Sequence, residues 1–240
     1  MVDAYGGLLV GFSLLLTGSR QKLDMFGAYR EKELLGKVDI LLNCANRLWL
    51  DQRRTLMSMS LTIRTLSDRE FNDISAQPLL LDILLYGAVD ADLLEEEDDG
   101  VQEAITAWTP DDAAREAYFL EGAFSSLHYL LTGKMDQSET VYPLNFLMHH
   151  RHPVGEVGWG PASLYSAAEV QAISTALNSL DPADLRINYD ADTYNALGIY
   201  PRGYTWKPED EHSLLDRFDE MKAFINRAAA EEKGICLTIM

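Results

Sequence analysis

Hydrophobic positions recur along the chain with two different periods, and the change of period locates its elements. Leu34, Leu35, Val38, Leu41, Leu42, Ala45, Leu48 and Trp49 fall at helical spacing, with Glu33, Lys37, Asn43 and Arg47 on the other face. This predicts an amphipathic helix over about Tyr29 to Asp51. The period then shortens to two: Met59, Leu61 and Ile63 alternate with Ser60, Thr62 and Arg64, the pattern of a strand. Ser67 and Glu70 have capping-box spacing and start a short helix. "PLLLDILLYG" follows as an apolar helix ending near Gly87.

Thr109-Pro-Asp-Asp112 reads as another helix start, continuing through Leu131 to a stop at Gly133. "VYPLNFL" reads as a short strand. Ser166 and Glu169 repeat the capping box and open a helix to about Leu180, and Asp181-Pro182 and Asp190 start two shorter helical turns. Leu214, Leu215, Phe218, Met221, Phe224 and Ile225 form one stripe of a long helix from Glu209 to Glu232, and "GICLTIM" closes the chain as a strand. Strands at both ends of the 57–240 segment with helices between them predict an α+β domain. Its small mixed sheet would join the two terminal strands and pack against several helices.

Charge divides the chain at the same place. Residues 1–56 hold 8 Lys/Arg and 6 Asp/Glu, whereas residues 57–240 hold 12 and 32, a net of −20. The expected organisation is a helical N-terminal extension (1–56) followed by the α+β domain (57–240). The formal net charge of −18 opposes binding to nucleic acid or to anionic lipid and suits a basic protein partner. The run Gly6 to Gly18 is too short to span a bilayer and lacks a basic flank before it. Cys44 and Cys236 form no metal-binding or disulfide pattern, which fits reduced thiols in a cytoplasmic protein. The acidic run Glu95 to Asp99 lacks the alternating spacing of a calcium loop and reads as a solvated surface segment.

Four stretches carry a family likeness: "FSSLHYLLTG" (Phe124 to Gly133), "YPLNFL", "HPVGEVGWGPASLYSAAEV" and "LGIYP". Together they resemble the YfbM-like family of bacterial proteins, a small α+β domain of unknown function, over Met57 to Met240. The resemblance implies that the first 56 residues are an extension, or that translation starts further downstream. It brings no catalytic residue. Relatives carry Trp-His-x-x-His where this chain has Phe124 and Ser125 and keeps only His128. They have glycines near His149-His150, and tyrosine where this chain has Trp159.

The candidate chemistry is sparse. His149, His150 and His152, with His128 or Glu156, are the right types for a metal, but no H-E-x-x-H or cysteine pair fixes a geometry. They read as a solvated turn, and no metal or cofactor is assigned. His128, on an apolar helix face, is the candidate acid–base residue, against a partly buried histidine tied to a backbone carbonyl. Ser125, three positions earlier, is a weak nucleophile partner, with no G-x-S-x-G around it. Gly155, Gly158 and Gly160 reverse the dinucleotide pattern and make a turn that presents Trp159. The candidate binding residues are Trp159 with Gly158, Gly160, Tyr142 and Glu156, and a second aromatic cluster at Tyr204 and Trp206.

Two functional classes stay open. One is an acidic interaction module of the immunity or inhibitor type, steered to a basic partner and anchored by those aromatics. The other is a small-molecule enzyme or ligand-binding protein with a pocket near His128 and the Gly158 to Pro161 turn. The position of His128 discriminates between them: a pocket shared with Tyr142, Glu156 and Trp159 favours the second.

Overall fold

Strand β1 (Ser60–Leu66) is the middle of a β ladder, paired on one side with β2 (Ala117–Glu121) and on the other with the closing strand β5 (Gly234–Ile239). Strands β3 (His152–Val154) and β4 (Ala162–Tyr165) complete a five-stranded sheet in the order β2-β1-β5-β4-β3. The computed structural model describes residues 59–111, 116–136, 139–201 and 203–240. The helix expected over Tyr29 to Asp51 and the apolar run Gly6 to Gly18 lie outside them. The fold class is α+β, and the two end strands meet through Thr62 opposite Thr238. Among the described residues the sheet is not mixed, however: every strand pairing is antiparallel.

Period-2 alternation gives the sheet two apolar faces. Leu61, Ile63, Leu120, Tyr165, Ile235 and Leu237 face one core, whereas Leu66, Ala162, Leu164 and Cys236 face the other. The first face is covered by α5 (Phe124–Thr132), α6 (Ala167–Ser179) and α9 (Asp210–Ala230), which contribute Leu127, Ile173, Leu177, Phe218 and Met221 to that core. The short helices α7 (Pro182–Ile187) and α8 (Ala191–Leu197) add Leu185 and Tyr194. The second face is covered by α1 (Asp68–Ala76), α2 (Leu80–Tyr86) and α4 (Asp99–Ala107), through Ile74, Leu81, Leu84 and Ile105; α3 (Ala91–Leu94) precedes α4 in the chain.

Both capping boxes form. Ser67 and Glu70 exchange bonds at the start of α1, and Ser166 and Glu169 do so at the start of α6. Glu70 is fully buried, and its other carboxylate oxygen accepts the Asp111 backbone N–H at 2.6 Å.

Two expected elements take another form. The helix from Thr109 through Leu131 is replaced by β2, a turn at Gly122 and α5 beginning only at Phe124. Asp111, read as a helix-start residue, instead reaches back to α1. It accepts from the Ser67 hydroxyl at 2.7 Å and from Arg69 Nη2 at 2.7 Å. Those partners lie over forty residues upstream, so local capping signals could not reveal them. The "VYPLNFL" strand is a run of turns, with Phe146 N–H donating to Pro143 and Met148 and His149 N–H donating to Asn145. Pro143 has no N–H to give a ladder, and Phe146 and Leu147 are buried through turns instead.

Candidate functional site

The turn between β3 and β4 is held from two sides. Val157 is buried, and its N–H donates to the Gly160 carbonyl at 2.9 Å, which closes the turn. The Trp159 N–H donates to the Ile239 carbonyl at 3.0 Å, tying the turn to the end of β5. Gly158 has φ +61°, and a Cβ there would lie 2.5 Å from the Ile239 oxygen, so the close approach requires glycine. The result is a fixed backbone beneath a side chain that the protein does not bury: Trp159 is 68% exposed. Glu156 is exposed on the same turn. Met240 packs beneath Gly158, and its sulfur accepts from the hydroxyl of the exposed Tyr86 at 3.9 Å.

The other predicted residues lie in separate surroundings. His128 is buried on α5 at 1% exposure. Neither ring nitrogen has a hydrogen-bond partner among the described residues, so it is tied neither to a carbonyl nor to Ser125. Burial pushes its pKa down to about 4, and the ring is neutral at physiological pH. Tyr142 belongs to a cluster around Glu169. Its hydroxyl donates to the Glu169 carbonyl at 2.9 Å, its ring stacks 6.4 Å from Tyr165, and the Arg151 guanidinium lies 4.6 Å from its centre.

Sequence reading did not find that Glu169 cluster. The Glu169 carboxylate accepts from Arg151 Nε at 2.6 Å and the Ser166 N–H at 2.8 Å, with His152 Nε2 at 3.1 Å. Burial pushes this carboxyl's pKa up, but the bonds from Arg151, Ser166 and His152 outweigh it and hold the pKa at about 2. The only signal was the capping-box position of Glu169. His150 turns away to the Ser163 hydroxyl, with Nδ1 at 2.8 Å, and the three neighbouring histidines do not converge. Among the described residues no group of three His, Cys, Asp or Glu is placed to hold a metal ion.

Trp206 is in the core at 8% exposure. Its indole N–H donates to Ile199, and its ring meets Tyr194 edge-on. Tyr204 is half-exposed and donates to Asp210 at 2.9 Å. It lines a shallow cleft with Pro201, Trp206 and Arg217. A larger cleft, of about 660 Å³, opens on the second face of the sheet between Arg64, α2, α4 and Trp108. His128 lines neither cleft. His128, Tyr142, Glu156 and Trp159 share no described cleft or hydrogen bond.

The fold is thus an α+β domain whose antiparallel sheet joins both ends of the segment and presents an aromatic turn beside β5. The sequence pattern of the family described as a domain of unknown function (DUF1877) matches residues 57–238, and the chain belongs to that family. A solved structure, that of YfbM from Escherichia coli, a protein of unknown function, is similar at 18% identity. The likeness covers 75% of this chain and 99% of that one with a TM-score of 0.49. No curated protein matches. Among the described residues no helix is long and apolar enough to cross a membrane.

Proposed function

We propose that residues 57–240 form one domain, carrying residues 1–56 as an extension, and that it works as a cytoplasmic protein-interaction module of the immunity or inhibitor type. The observation that carries the reading is Trp159, a large aromatic left in solvent on a backbone locked to β5. An anchor held in place before binding loses little conformational entropy when a partner covers it, and tryptophan is enriched among residues that dominate binding. The net of −20 on residues 57–240 supports a basic partner, which long-range attraction would steer to this surface. Burial of His128 away from the described clefts withdraws support from an enzyme built on it.

The test is affinity capture with the full chain from extracts of its own source cell at low and high ionic strength. A basic protein should be retained at low salt and released at high salt. Recovery of no basic protein at low salt contradicts it.

A further inference from the structure

Successive residues of β1 point to opposite faces of the sheet, so Ile63 enters the first core and Arg64 the second face. There Arg64 lines the 660 Å³ cleft, whose walls include Leu84, Val89, Leu94, Ile105 and Trp108. That volume is in the range of small-molecule sites. Among the described residues its lining is apolar apart from Arg64 and two threonines, and Arg64 is the one charged side chain.

The arginine lacks what other arginines of the chain have. Arg69 pairs with Asp111, Arg151 with Glu169 and Arg227 with Glu116. Arg64 makes no ion pair among the described residues, and its Nε is closed to water without a hydrogen-bond partner. The residue opposite it on β5, Cys236, offers no counter-charge, because burial pushes its thiol pKa up to about 12. That Nε is closed to the cleft, so a ligand there would meet the terminal guanidinium nitrogens, for which an oxyanion is the best-matched acceptor. The opposite wall is already fixed: the Trp108 indole N–H donates to Asp73 at 2.8 Å, and Arg69 lies over its ring.

We propose that this cleft binds a small apolar carboxylate, its hydrocarbon part against Leu84, Leu94, Ile105 and Trp108 and its carboxylate on Arg64. One cation among the described lining residues matches a monoanion better than a phosphate dianion. The site is separate from the Trp159 turn, and neither reading depends on the other.

The test uses the full-length protein with decanoate as probe and decan-1-ol as its uncharged counterpart, followed by calorimetry and tryptophan fluorescence. Saturable binding of one decanoate per chain is expected, with decan-1-ol weaker by about ten- to a hundredfold. Arg64→Gln should bring decanoate down to the level of the alcohol while leaving alcohol binding unchanged. Ala88→Trp, at an exposed position on the cleft wall, should abolish binding of both without unfolding the protein. Circular dichroism verifies the fold of each variant. Absence of saturable decanoate binding to the folded wild type overturns the proposal. So does decanoate binding that is unchanged in folded Arg64→Gln or folded Ala88→Trp.

Discussion

Gly158 lies against the carbonyl of Ile239 so closely that a single added Cβ would stand 2.5 Å from that oxygen. This contact fixes the backbone on which Trp159 is carried, because the next N–H, that of Trp159, bonds to the same oxygen at 3.0 Å. Alanine at 158 would meet left-handed backbone strain and a backbone clash together. Gly198 has the same left-handed conformation, at φ +62°, but open space where a Cβ would go. Gly198→Ala should therefore cost about 1 kcal/mol from conformation alone, and Gly158→Ala at least about 1 kcal/mol more. Denaturant unfolding of the two variants measures the difference; equal losses would mean that the Ile239 contact is soft.

Glu169 joins the cap of α6 to the Arg151 and His152 side chains. Its carboxyl pKa is held at about 2 against an ordinary 4.5, so the folded state favours the ionised form. Its stabilisation is complete above pH 4.5 and is lost as the pH falls from there toward 2. Arg151 is partly exposed, so its ion pair is screened, and the Ser166 bonds carry much of the effect. Glu169→Gln should cost about 1–2 kcal/mol at neutral pH and flatten the acid limb of the stability curve. Unfolding titrations at several pH values measure both.

His128 gives the opposite slope to a paired histidine. Its folded pKa is about 4 against an ordinary 6.5, so the unfolded chain takes up the proton first. Between those values stability rises with pH, and above 6.5 the penalty is gone. Neither ring nitrogen is bonded, so His128→Leu removes no hydrogen bond. It should leave stability at neutral pH unchanged or raise it by about 1 kcal/mol, with less pH dependence between 4 and 6.5. A loss of stability at neutral pH would mean that the imidazole has a polar partner.

The legible parts of this fold were those written in adjacent residues. Ser67 with Glu70 and Ser166 with Glu169 each sit within one helical turn, and both boxes form. The first terminal strand showed in its alternation and the last as a short apolar run, and their pairing is realised through Thr62 and Thr238. What escaped was decided at long range. Ala117 to Glu121 follows a strong helix-start signal, yet β1 supplies an edge for it and Gly122 ends it. The tie of Asp111 to Ser67 and Arg69 spans over forty residues, and Arg64 reads as an ordinary outward strand residue until α2 and α4 wall it in. At the candidate site the turn around Trp159 was readable from its glycines. Whether its ring faced solvent or core was not, because that rests on the contact with β5.

The proposed role requires Trp159 to be held out for a partner without stabilising the fold. Trp159→Ala should change unfolding stability by no more than about 0.5 kcal/mol. The direct measurement is capture of the salt-released basic protein by wild type and by folded Trp159→Ala under identical low-salt conditions. Wild type should retain it, and the variant should lose at least about tenfold in retention, as for a binding anchor. Equal retention of that protein by the two would contradict it.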